Sequence, residues 1–208
     1  MFKRSTGLQY APEYAPEKIN PNQLKGLISA SYQRNGDARK IGSNVGYKLV
    51  DNLSNAEHKV FTDTKGNPYV AFTGSRKVSD WGTNAAIALG LGRFTRRFQD
   101  SKKLVENVRK QYGNKPITVT GHSLGGSLAE YAGIQTDKVI TLDKGVGLGG
   151  IGKHISRYQT DIRANSDPVS VLNRFQFGGN KQTIRGTNFV DPIHSHSYKH
   201  LNKFDKII

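Results

Sequence analysis

The chain has 208 residues, a formal net charge of +15 and no cysteine. That length suits one domain whose core stands without covalent staples, and the absence of thiols excludes disulfides, thiolate nucleophiles and Cys-ligated zinc. The longest apolar stretch, residues 85–91, is too short to span a bilayer and contains Gly90, while the excess of Lys and Arg implies attraction to anionic surfaces, whether phospholipid head groups or nucleic acid, without choosing between them.

Residues 1–22 are polar and carry Pro12, Pro16 and Pro21 with no helical or strand period, so they read as an extended or partly disordered arm ahead of one domain over residues 23–208. The first residues are basic and are not followed by the apolar region of a secretory signal. Leu24, Leu27, Ile28 and Tyr32 recur at helical spacing and predict a short packing helix ending near Asn35 and Gly36. Residues 46–53 and 59–63 alternate as strands, and Lys65-Gly66-Asn67 turns the chain into the apolar run Tyr69-Val70-Ala71-Phe72. Phe94, Phe98, Val105, Val108 and Tyr112 mark one face of a long helix whose other face is rich in Arg and Lys. A strand over 117–120, a helix of small residues over 127–134, strands at 139–142 and 160–164, and a glycine-rich loop over 145–152 complete the pattern. Strands alternating with helices predict an α/β fold with a mostly parallel sheet.

Gly121-His122-Ser123-Leu124-Gly125 sits between the strand over 117–120 and the helix that follows. This is the context of a nucleophile elbow, in which small flanking residues allow a sharp strand-to-helix turn that projects a serine hydroxyl above the sheet. The pattern alone carries little weight in a glycine-rich chain, and the strand before it and the helix after it supply the specificity. Ser123 is therefore the candidate nucleophile, and the Leu124 amide at the start of the helix is a candidate oxyanion donor. His122 is read as structural.

Two blocks of sequence resemble the class 3, fungal-type triacylglycerol lipase family of the α/β-hydrolase superfamily. The first is Ala71-Phe72-Thr73-Gly74-Ser75-Arg76 with Asp80-Trp81 and Asn84, similar to that family's oxyanion strand and its sequel; the second is Val119-Thr120-Gly121-His122-Ser123-Leu124-Gly125-Gly126. The resemblance implies a compact α/β-hydrolase fold, a mostly parallel central sheet flanked by helices. It makes Ser75 the second oxyanion donor and calls for an acid and then a histidine after the serine in chain order. Residues 162–169, with Asp167 before Pro168, resemble the segment that carries the acid, and Asp143 after the preceding strand is the competitor. Residues 191–198 resemble the family's ending, where a His-Ser pair opens the last helix. That alignment makes His196 the base ahead of His194, from a set that also holds His154 and His200. Residues 85–98 fall where the family has its lid, although the His-x-Gly-Phe element that usually follows is missing, and an ordinary core-facing helix fits the same residues.

The function expected from this reading is ester hydrolysis on lipids by a Ser-His-Asp triad through an acyl-enzyme, with no metal or organic cofactor. Positive charge beside such a site favours anionic phospholipid and peripheral contact with an anionic membrane. The alternative from another class is a catalytically silent hydrolase fold whose basic surface binds nucleic acid, a capsid or a membrane; thioesterase or peptidase activity is a third option. Secreted members of the resembled family commonly carry disulfides and are larger, so the comparison points to an intracellular or virus-associated setting.

Overall fold

The structure is a computed structural model that describes residues 18–75, 95–134, 136–146, 152–167 and 169–184. Its first helix, α1 (Pro21–Ser31), begins at a reciprocal cap. The Asn20 side chain accepts from the Gln23 amide at 2.9 Å, the Gln23 side chain accepts from the Asn20 amide at 2.9 Å, and Pro21 occupies the first turn, where its missing N–H costs nothing. Ile19, Leu24, Leu27 and Ile28 are fully buried. A second helix, α2 (Asn35–Asn44), follows where the sequence pattern shows only the end of the first, because its apolar face is reduced to Ala38, Ile41 and Gly42. Gly42 is required there by a close approach: a Cβ would fall 2.8 Å from the Phe61 ring.

The predicted strand over 46–53 shrinks to β1 (Lys48–Leu49) and a 3-10 turn at Asp51–Leu53. Then come β2 (His58–Thr62) and β3 (Pro68–Phe72), an antiparallel pair, followed by α3 (Thr95–Gln111), β4 (Thr118–His122), α4 (Leu124–Ala132) and β5 (Lys138–Leu142). The last two strands are β6 (His154–Ala164) and β7 (Phe177–Ile184), separated by a 3-10 turn at Val171–Phe175. β6 is longer than the predicted 160–164 because its first residues pair with β7 across a register irregularity between Ile155 and Thr160, which breaks the alternation. β7 is mostly exposed on both faces and offers no apolar pattern to read.

The described strands form one seven-stranded sheet in chain order, parallel from β3 to β7. Every residue of β3 and of β4 is buried, as parallel strands covered on both faces require. Alternate residues feed two cores. Tyr69, Ala71, Ile140, Leu142 and Ile162 pack with α1 and α2, while Val70, Phe72, Val119 and Val139 pack with Val105 and Val108 of α3 and Leu124 and Leu128 of α4. Residues 1–17, most of the arm, lie outside the described residues. No helix among the described residues is long and apolar enough to cross a membrane.

One ion pair ties the end of α3 to the sheet. Arg109 makes two 2.7 Å bonds to the fully buried Asp137 carboxylate, which also accepts from the amides of Ile117 and Ile134 at 3.0 and 2.9 Å. Removing the guanidinium strands a buried charge. Arg109→Ala is therefore expected to lower unfolding free energy by about 3–5 kcal/mol, measured by chemical denaturation.

Candidate active site

β3 and β4 are adjacent and parallel, so the segments leaving their carboxyl ends emerge side by side. Ser123 leaves β4 with φ 58 and ψ −128, a conformation that is strained for a residue with a side chain, and α4 starts at the next residue. Ser123 is buried, with 5% of its surface exposed. The turn closes only because three positions lack a Cβ. One at Gly121 would sit 2.3 Å from the Gly125 carbonyl carbon and oxygen, one at Gly125 would sit 2.3 Å from the Phe72 carbonyl oxygen, and one at Gly126 would sit 2.8 Å from Lys144 Cβ. Contacts under 3 Å with rigid backbone cannot relax by side-chain motion, so the tightness of the turn is a property of the backbone itself.

The segment after β3 is brought against this turn. A Cβ at Gly74 would lie 2.7 Å from the His122 carbonyl oxygen and 3.4 Å from Ser123 Cβ. The Thr73 amide donates to Glu57 O at 2.9 Å and the Gly74 amide to the Tyr32 hydroxyl at 3.1 Å, and the next amide along the segment is that of Ser75. Leu124 is the first residue of α4, where amides have no acceptor inside the helix. Ser75, Ser123 and Leu124 thus share one end of the sheet.

Side chains outside the two motifs hold this arrangement. The Tyr32 hydroxyl, at the end of α1, lies 3.0 Å from His122 Nδ1 as well as accepting from Gly74. Thr73 donates its hydroxyl to Ser31 O at 2.6 Å, and Arg97 of α3 donates to Thr73 O at 3.0 Å while facing Glu57 at 3.7 Å. Tyr32 reads from sequence only as a packing residue. Behind the elbow, Lys144 is buried with its ammonium on Glu130 of α4 and Asp161 of β6; Asp161 also accepts from Thr141 at 2.7 Å and Gln159 at 2.8 Å. Burial works against the Glu130 charge, but Lys144 and the Gln159 and Gln176 amides hold its carboxyl below the ordinary range.

Asp167 lies just past β6 and Asp143 just past β5, both buried at the same sheet end as Ser123. His154 is different. It opens β6, a strand parallel to β4 and β5, and so lies at the end of the sheet away from the elbow, which removes it from the set of bases. His194, His196 and His200 lie outside the described residues, as do Asp80, Trp81, Asn84 and residues 85–94 of the lid segment; Thr95 to Phe98 belong to α3.

Residues 15–148 match the family model of the Tle-like phospholipase domain, described as phospholipase-like. No curated protein matches the chain. Among solved structures, the chain is similar to the Lip2 lipase of Yarrowia lipolytica, with a TM-score of 0.54 and 16% identity over 84% of this chain and 80% of that one. It is also similar to a mutant of MDLA from Penicillium cyclopium, with a TM-score of 0.51 and 17% identity over 81% and 80% of the two chains. For Rhizomucor miehei lipase in complex with its propeptide the TM-score is 0.50, with 14% identity over 88% and 77%. At these identities the likeness establishes the fold alone, the α/β-hydrolase fold.

Tyr32→Phe leaves the Gly74 amide without its acceptor beside Ser123, an effect worth about 1–3 kcal/mol. Steady-state kinetics on a soluble ester is expected to show kcat falling roughly tenfold or more with KM little changed.

Proposed function

The chain belongs to the Tle-like phospholipase domain family and is a lipid ester hydrolase, and from that premise we propose that it is a phospholipase A-type serine hydrolase with Ser123 as nucleophile, His196 as base and Asp167 as acid. The observation that carries the reading is the backbone of Ser123, held at φ 58 between glycines that admit no Cβ. Such strain costs on the order of 1–3 kcal/mol and persists where the surroundings enforce it. A surface that merely binds an anion has no use for it, which counts against the silent-fold alternative.

In this reading His196 takes the Ser123 hydroxyl proton as Oγ attacks the ester carbonyl. The Ser75 and Leu124 amides stabilise the oxyanion of the tetrahedral intermediate. Collapse expels the alcohol, which receives the proton back from the imidazolium, and water then repeats the sequence on the acyl-enzyme. Asp167 fixes the histidine tautomer and stabilises its charged form. The Asp167 carboxylate accepts from the Val169 and Ser170 amides at 3.0 and 2.9 Å, bonds that favour its ionised form. His194 is the alternative base. The net charge of +15 supports an anionic phospholipid as substrate.

Labelling with a fluorophosphonate followed by peptide mapping tests the assignment. Modification is expected at Ser123, absent in Ser123→Ala and strongly slowed in His196→Ala, with turnover in Ser123→Ala down by about 10⁴-fold or more. Wild-type labelling in His196→Ala moves the base to His194, and undiminished labelling in Ser123→Ala removes the nucleophile. On vesicles at low salt, turnover of anionic phospholipid is expected to exceed that of zwitterionic phospholipid and to lose the advantage as salt rises; equal rates would remove the charge argument.

A further inference from the structure

Two carboxylic acids end the two strands that follow the nucleophile strand, and they share one residue. Asp143 leaves β5 at φ 45, a left-handed conformation that aspartate tolerates better than most side chains. Its amide donates to Ile162 O at 2.8 Å, and its Oδ1 accepts from the Ala164 amide at 2.6 Å and from the Ser170 hydroxyl at 3.4 Å. The Ser170 amide donates to Asp167 Oδ2 at 2.9 Å. Ser170, itself fully buried, therefore bridges the two acids. Asp143 has none of its surface exposed and Asp167 only 2%.

Two bare carboxylates in so little water repel each other, and one proton between them removes most of the cost. The surroundings decide where it goes. Asp167 accepts from two backbone amides, whereas Asp143 accepts from one and its buried Oδ2 has no hydrogen-bond donor among the described residues. Burial, and then the Asp167 charge, push the Asp143 carboxyl well above the ordinary carboxylate range. Lys144, next in the chain, does not offset this, because its ammonium is directed at Glu130 of α4 and Asp161 of β6.

We propose that Asp143 is a positioning residue for Asp167: it is carried as the neutral carboxylic acid of the pair, with the proton on the side of Oδ2, so that the single negative charge resides on Asp167. This rests on Asp167 being the acid of the triad. Asp143 touches neither substrate nor histidine in this scheme. It acts by confining the charge and, through Ser170, the orientation of the carboxylate that does. The same geometry explains how two acids, each at a strand end where such an acid is useful, are kept from competing.

The test compares Asp143→Ala, Asp143→Asn and Asp167→Asn in the full chain, using a soluble p-nitrophenyl ester and infrared spectroscopy near neutral pH. The protonated acid is expected as a carboxylic C=O stretch that disappears in Asp143→Asn. Asp143→Ala is expected to lose at least about tenfold in kcat at unchanged KM. Asn keeps the shape, the neutrality and an N–H directed at Asp167, and is expected to restore most of that loss, whereas Asp167→Asn falls by about 10⁴-fold. Loss in Asp143→Asn equal to that in Asp167→Asn would make Asp143 the charged member and overturn the proposal, as would the absence of the infrared band. Should Asp143→Ala fail to fold, the contrast between the two asparagine variants and the band still decide. Fluorophosphonate labelling of Ser123 in the same proteins separates failure of this proposal from failure of the hydrolase reading, since the band reports on the pair whether or not the serine reacts.

Discussion

Contact between backbones, made possible by missing side chains, is the constraint on which the rest of this molecule depends. The end of β3, the turn out of β4 and the first turn of α4 meet at Gly121 and Gly125 with no room for a single carbon. That meeting forces Ser123 into a left-handed conformation and at the same time sets the Gly74–Ser75 segment beside it. The strained Ser123 backbone and the placement of the Gly74–Ser75 segment are two outcomes of one packing event. Because backbone is rigid compared with side chains, the contact itself sets the spacing between them.

Around this contact the protein arranges polar groups in two layers. On the α1 side, Tyr32 joins His122 to Gly74, and Thr73 reaches back to Ser31, so the helix end and the Gly74–Ser75 segment are tied directly together. On the α4 side, Lys144, Glu130, Asp161 and Gln159 form a buried charged network beneath the elbow helix. Buried charges of this kind add little net stability over an apolar core of the same shape, but they penalise any packing that separates them. They therefore specify where α4 sits on β5 and β6, and with it where the amide of Leu124 points.

Parallel strands, apolar on both faces, are easy to recognise, and so β3, β4 and β5 and the helices between them are legible with boundaries close to those observed. The elements that escape recognition share a cause. α2 has an apolar face of only a few small or partly buried residues, β1 is two residues long, the start of β6 loses its alternation at a register irregularity, and β7 lies at the exposed edge of the sheet. Each of them gains its structure from a neighbour rather than from its own periodicity. The site divides in the same way. Ser123 and Leu124 are proposed from a local motif, while the proposals of Ser75, of Asp167 and of His196 over His194 draw on family resemblance.

By itself the sequence pointed to Ser123, the sharp turn that carries it and the alternation of strands and helices, because these depend on glycines, apolar periods and neighbours within a few residues. Tertiary structure alone decided that Tyr32 reaches across 90 residues to His122, that Arg109 pairs with Asp137, and that Asp143 and Asp167 lie together under Ser170. Polar side chains distant along the chain leave no periodic trace. Their partners are chosen by how the layers stack, and so become visible only once the sheet has brought its strand ends together.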